Sequence, residues 1–213
     1  MYLLTATRPD LAFTITFLSQ FNNCANSTHL NAVKRVLRYL KGTKDFKLLY
    51  PWQQPLCLTG FTDASYGNCL DTRRSYSGFV FQLGHSTISW KCRKQKSVAT
   101  STTEAEYMAL AMAVKHHIWL KSSLFELLKD PSTPSAVFAD NMSAIDIAHN
   151  RKVNDRSKHI DISYHFSREQ IEEGKLTLLH VPSIDNIADI CTKGLTRPIH
   201  QHLCTLLTGN STK

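Results

Sequence analysis

Four carboxylate positions in this chain fall where an acid is costly unless something uses or compensates it. Asp63 follows the mostly apolar run from Leu56 to Phe61 and precedes the small, turn-prone residues Ala64, Ser65, Gly67 and Asn68. Asp140 follows Ala136-Val137-Phe138-Ala139 and leads into Asn141, Ser143 and Ala144. Both read as acids delivered to the end of a buried strand. Glu104 or Glu106 is the third, near the start of a long helical pattern, and Asp189 the fourth, in the early turns of a last one. Singly, each has an ordinary reading as an N-cap, a salt-bridge partner or a solvated first-turn acid. Together, in this order, they favour a shared site. A carboxylate cluster without Cys or His suits a hard cation, Mg²⁺ or Mn²⁺. Two such ions about 4 Å apart can activate a water and stabilise the leaving oxygen of an in-line phosphodiester attack.

The elements that must position these acids are legible as periodicities. Residues 1–50 read as mostly helical, with one helix from Leu11 towards Phe21 and a second from Ser27-Thr28 to Leu40-Lys41. In the second, Ala32, Val33, Val36, Leu37 and Leu40 make an apolar stripe, and Lys34, Arg35, Arg38 and Lys41 fill the other face. That basic face suits solvent or a phosphate backbone equally well. Three strands follow, at 56–62, 77–83 and 86–91, with a tight turn at Gly84-His85; an antiparallel meander is the natural arrangement. A basic connection, 91–101, leads to a helix from Thr103 to about Leu128, capped by Ser101, Thr102 or Thr103. Its stripe is Tyr107, Ala111, Val114, Ile118, Phe125 and Leu128. The pattern continues with a strand at 136–139, a helix to about His149, a polar loop at 150–160 and a helix from about Asp161 to Glu173. A strand from Leu176 to Val181 and a core helix starting near Asp185 close it. The tail from Thr196 is weakly amphipathic to Leu207, then polar and frayed. Strand ends are where ligand chemistry gathers in an α/β sheet.

Composition sets the outer bounds. The 213 residues suit one domain of ordinary size plus an attachment, or two small ones. An apolar fraction of 42% is enough for a core, which argues against wholesale disorder. The formal net charge of +8 favours a polyanionic partner. Six cysteines form no CxxC pair and sit at irregular spacing, which reads as reduced thiols in a reducing compartment. No membrane-spanning or targeting segment is visible, so a cytoplasmic, non-secreted protein is expected. The abrupt start before the first helix suggests a fragment of something longer.

The motifs jointly resemble a known family. They are Thr-Ala-Thr-Arg-Pro-Asp-Leu at 5–11, Lys-Arg-Val-Leu-Arg-Tyr-Leu-Lys-Gly-Thr at 34–43, Thr-Asp-Ala-Ser at 62–65 and Asp-Thr-Arg-Arg-Ser at 71–75. They continue with Ser77-Gly78, Ile-Ser-Trp-Lys at 88–91, Glu-Ala-Glu-Tyr at 104–107, Asp140-Asn141, Lys-His-Ile-Asp at 158–161 and Ala-Asp-Ile-Cys-Thr-Lys at 188–193. The chain resembles the ribonuclease H region of a copia-type LTR retrotransposon Pol polyprotein, preceded by the end of the reverse transcriptase. The resemblance implies an α/β, ribonuclease H-like fold: a mixed five-stranded sheet, three antiparallel strands then strands alternating with helices, preceded by a short helical segment. Its divisions would be 1–50, the reverse transcriptase remnant; 51–195, the ribonuclease H-like domain; and 196–213, a C-terminal helix and tail.

The same resemblance implies hydrolysis of the RNA strand of RNA–DNA hybrids with two Mg²⁺ or Mn²⁺ ions, in a cytoplasmic virus-like particle, beside the reverse transcriptase portion of the parent polyprotein. Carried over by position, Asp63 bridges both metals, Glu106 is the helix acid with Glu104 as its competitor, Asp140 is the fourth-strand acid and Asp189 the peripheral ligand. Related enzymes carry a mobile His before the last helix; here the loop 182–186 has none, and His180 and His159 are the nearby histidines. Hybrid binding should rest on shape and phosphates, with Arg73, Arg74, Lys91, Arg93, Lys94 and Lys96 as the contacts. A catalytically silent nucleic-acid-binding remnant is the alternative. An integrase-like strand transferase fits poorly, because the Glu precedes the second Asp.

Overall fold

The computed structural model describes residues 2–52, 56–129, 135–149 and 166–208. Its centre is a five-stranded sheet in the order β3-β2-β1-β4-β5. The strands are β1 (Leu58–Ser65), β2 (Tyr76–Leu83), β3 (Ser86–Lys94), β4 (Ser135–Ala139) and β5 (Thr177–His180). β1, β2 and β3 form the antiparallel meander, and β4 and β5 add in parallel on the other side of β1. The fold is therefore the α/β, mixed five-stranded arrangement that the sequence implied.

Both faces of the sheet are covered. Along β2, Phe79 and Phe81 point to one face and Val80 to the other, as the period of two requires, and all three are buried. Phe79 and Phe81 join Tyr107, Leu110 and Val114 of α4 (Thr102–Leu128) with Val137, Leu178 and Ile145. Ile145 lies on α5 (Met142–His149). The helix α6, over 166–172, contributes Phe166 and Ile171 at the margin of this core. Val80 joins the second core, with Leu4, Ala12, Ile187, Ile190, Cys191, Leu203 and Leu207.

The N-terminal segment supplies part of that second core. It runs α1 (Tyr2–Ala6), a 3-10 turn at Pro9–Leu11, α2 (Ala12–Ser19) and α3 (Ser27–Gly42). A buried network ties it together. Arg8 donates to both Asp10 oxygens, Nε to Oδ1 at 2.9 Å and an η-nitrogen to Oδ2 at 2.7 Å. Tyr39 of α3 donates to the same carboxylate at 2.7 Å. The Trp90 indole of β3 donates to the Leu4 carbonyl at 2.6 Å, which joins the segment to the sheet. Asn26 caps α3, accepting from the His29 amide at 3.0 Å.

Several boundaries differ from the sequence expectation. β1 continues to Ser65, so Asp63 lies inside a strand rather than at its end. β3 continues to Lys94, because Trp90 and Cys92 keep facing the second core while Lys91 and Arg93 alternate outward. On α3 only Val36 of the apolar stripe is buried; Leu37 is 59% exposed and Val33 42%. The last core helix is instead two 3-10 pieces, Ser183–Asp185 and Ile187–Cys191. The C-terminal helix, read as weakly amphipathic, is part of the core: in α7 (Arg197–Thr208) Leu203 and Leu207 are fully buried. The loop at 150–160, with His159, lies outside the described residues.

Candidate active site

Four elements converge at one end of the sheet. β1 carries Asp63, which is 2% exposed and pairs in register with Gly78 of β2. α4 carries Glu106 one turn in from its N-terminus. Asp140 directly follows β4, and Asn141 beside it caps α5 by accepting from the Ala144 amide at 3.0 Å. Carboxylate oxygens of Asp63, Glu106 and Asp140 lie within 4.8 Å of one another. Asp189 reaches the same end from the 3-10 turn Ile187–Cys191.

Glu104 sits elsewhere. Its Oε2 accepts from the Thr100 amide at 2.7 Å and the Thr100 hydroxyl at 2.5 Å, while its own amide donates to Ser101 Oγ at 3.1 Å. Those bonds close the start of α4, a capping arrangement. Glu106, two residues on, faces the cluster instead.

Three groups adjust the cluster that sequence reasoning did not single out. The Thr192 hydroxyl donates to Asp63 Oδ2. Lys193 places its Nζ 2.8 Å from Asp189 Oδ1 and 3.8 Å from Asp63 Oδ1. Asn186 donates to the Thr62 carbonyl at 3.0 Å and caps the 3-10 turn through Ala188 N–H at 3.2 Å. The close approach of this turn depends on Gly78. A Cβ there would stand 2.6 Å from Thr192 Cγ2 and 2.8 Å from Cys191 Cβ. The spacing of Lys193 four residues after Asp189 was the available signal, since such a pair shares one helical face.

The electrostatics describe a site short of positive charge. Burial pushes the Glu106 carboxyl up to about 9, helped by repulsion from Asp63 and Asp140 and opposed by Lys193 and the Ala64 amide. Burial raises Asp63 too, with Asp140 adding to the rise and Lys193 and Thr192 opposing it. Asp189 rises to about 7 through burial and Asp63, against Lys193. Burial would lower Lys193, but Asp63, Asp189 and Asp140 outweigh it and raise it. Glu106 Oε2 is buried with no hydrogen-bond partner among the described residues. Clustered oxygen donors, an orphaned carboxylate oxygen and mutual repulsion all fit a hard divalent cation.

The six basic residues expected to contact nucleic acid lie on the β1–β2 connection, on β3 and just after it. Arg73 and Arg74 lie in the β1–β2 connection, Arg73 with a φ of 52°. Lys91, Arg93 and Lys96 are exposed. Lys94, on the opposite face of β3 from Lys91 and Arg93, donates to Gln20 Oε1 at 2.5 Å.

Comparison with known proteins now has a geometry to match. No family model matches the chain. It is 39% identical over 199 residues, 93% of its length, to the retrovirus-related Pol polyprotein from transposon RE2 of Arabidopsis thaliana. It is 39% identical over 209 residues, 98% of its length, to that from transposon TNT 1-94 of Nicotiana tabacum. Its homologues at this level of identity are retrovirus-related Pol polyproteins of copia-type transposons. It spans 14% and 16% of the length of those two relatives. Among solved structures, the ribonuclease H1 isolated from compost by a metagenomic approach superposes with a TM-score of 0.50 at 15% identity. That match covers 64% of this chain and 93% of the ribonuclease. The chain therefore has a ribonuclease H-like fold. Among the described residues, no helix is long and apolar enough to cross a membrane.

Proposed function

We propose that this Pol segment hydrolyses the RNA strand of RNA–DNA hybrids by metal-dependent, endonucleolytic phosphodiester cleavage during reverse transcription. The observation that carries the reading is the convergence of Asp63, Glu106 and Asp140 at one end of a ribonuclease H-like sheet. Asp63, Glu106, Asp140 and Asp189 would hold two Mg²⁺ or Mn²⁺ ions. Bound there, such ions activate a water and stabilise the leaving oxygen.

The chain's own residues prepare that cluster. Asn186 and Gly78 let the turn carrying Asp189 lie against β1 and β2. Thr192 fixes one Asp63 oxygen, leaving the other towards Lys193. Among the described residues, Lys193 supplies the ammonium that limits repulsion among the acids. Burial keeps bulk water from screening these charges, so each position counts for more than it would at a surface. The reverse transcriptase portion of the same polyprotein is the partner this reading assigns.

The test is cleavage of a labelled RNA strand in a hybrid with Mg²⁺ or Mn²⁺, beside Asp63→Asn. Metal-dependent cleavage that disappears in the variant supports the reading. Hybrid binding without cleavage in the unmodified chain would replace it with the silent nucleic-acid-binding remnant.

A further inference from the structure

The ribonuclease H-like core leaves the N-terminal helices without a role, and their position suggests one. Between α2 and α3 on one side and the segment 190–201 on the other lies a cleft of about 760 Å³. That is within the ~300–1,000 Å³ of ordinary ligand clefts. Its charged lining is one-sided. Arg35 comes from α3, Lys193 from the turn after Asp189 and Arg197 from the start of α7, with His200 beside them. The one carboxylate in the lining is Asp10, and it is already bound by Arg8 and Tyr39. With Lys193 paired to Asp189, Arg35 and Arg197 are the cations of the lining without an acidic partner among the described residues.

It also adjoins the acid cluster. Lys193 lines the cleft while its ammonium lies 2.8 Å from Asp189. Asp63 pairs with Gly78, two residues from Val80, so its side chain stands on the sheet face that α2 and α7 cover. Lys91 and Arg93 stand on the opposite face. Two further features fit a phosphate ligand. Arg197 opens α7, where a cation opposes the helix dipole and is unfavourable without an anionic partner. Lys34, Arg38 and Lys41 are exposed on α3 and continue the basic surface away from Arg35. Phe13 gives the cleft an apolar wall suited to a sugar or base.

We propose that this cleft binds the phosphate backbone of the nucleic-acid substrate where it leaves the acid cluster, with Arg35 and Arg197 as the contacts. The N-terminal helices are then part of the substrate-binding surface. The inference rests on the nucleic-acid substrate proposed above, but not on its hydrolysis.

The experiment measures hybrid affinity against salt concentration by fluorescence anisotropy, with the full chain in an Asp63→Asn background. The variants are Arg35→Gln with Arg197→Gln, and Lys129→Gln as a control at the far end of α4. Thermal melts establish that each is folded. Two lost phosphate contacts should flatten the slope of log K against log salt by roughly 2 and weaken binding roughly tenfold or more at low salt. The control should leave slope and affinity unchanged. Equal slopes for the double variant and its parent would overturn the cleft, as would failure of the parent to bind the hybrid. If the unmodified chain binds through Arg35 and Arg197 but never cuts, the hydrolysis reading falls and the cleft stands. If it cuts and the double variant binds normally, the reverse holds.

Discussion

The Lys193 ammonium lies 2.8 Å from the Asp189 carboxylate, inside a cluster whose other charged members are acids. Lys193 is 35% exposed at its side chain, whereas Asp189 is 8%. Removing the cation leaves a mostly buried acid without its partner. A fully buried pair broken this way costs ~3–5 kcal/mol; partial exposure reduces the expectation for Lys193→Met to about 1–3 kcal/mol without metal. Urea unfolding in EDTA measures it. Saturating Mg²⁺ should recover more stability in Lys193→Met than in the parent, because the ion replaces the missing charge. Equal stabilisation in the two proteins would count against Lys193 as the cluster's internal counter-cation.

The raised carboxyls fix the sign of the pH dependence. Glu106 rises from its ordinary 4.5 to about 9, so the folded chain keeps a proton that the unfolded chain has lost. Stability of the metal-free protein must therefore fall as pH rises from about 4.5 towards 9. Asp189 adds the same sign between 3.8 and about 7. Urea midpoints in EDTA should decline across pH 5 to 9, and Glu106→Gln should flatten the decline. Mg²⁺ binds the ionised carboxylates and should flatten it too. A metal-free midpoint that climbs with pH would refute this account of the cluster.

Glu104 and Glu106 separate cap from site. Glu104→Gln weakens the bonds that hold Thr100 at the start of α4 and should cost about 0.5–2 kcal/mol, with hybrid cleavage retained in the folded fraction. Glu106→Gln removes the cost of protonating that carboxyl on folding, so it should stabilise the metal-free protein at neutral pH while abolishing cleavage. Parallel melts and cleavage assays of the two variants give opposite orderings. Loss of cleavage in Glu104→Gln at full folding would reverse the assignment.

How far the sequence carried depends on which forces decided each element. Asp63 and Asp140 were visible because an apolar run ahead of an acid is a local signal, and the capping of α4 by Ser101 was equally local. The end of β3 was not visible. Arg93 and Lys94 look like a basic loop until the alternation of Trp90 and Cys92 is seen to continue against the second core. α3 failed in the other direction: its stripe predicts burial, yet Leu37 faces solvent, because Val36 and Tyr39 make the contact instead. Asp189 was placed in an α-helical turn, whereas Asn186 bonds to Thr62 and winds the segment as 3-10. Thr192 and Lys193 reach the cluster only through that winding, across more than 120 residues of chain from Asp63.

Gly78 is where the fold and the cluster meet most tightly. It faces Asp63 across the β1–β2 pair, and a methyl group there would meet Thr192, Cys191 and the Ala188 carbonyl at 2.6, 2.8 and 3.3 Å. The first two contacts are closer than packed carbons allow, and none involves the far end of a flexible side chain. Gly78→Ala must therefore push the turn carrying Asp189 away from β1. Overpacking of this kind costs about 1–3 kcal/mol. The displacement should also loosen the Thr192 bond to Asp63 and the Lys193 contacts, so cleavage should fall more steeply than stability alone explains. Assays well below the variant's melting temperature, with the folded fraction measured by near-ultraviolet circular dichroism, separate the two effects. Cleavage that tracks the folded fraction one for one would mean that the approach of the turn serves packing only.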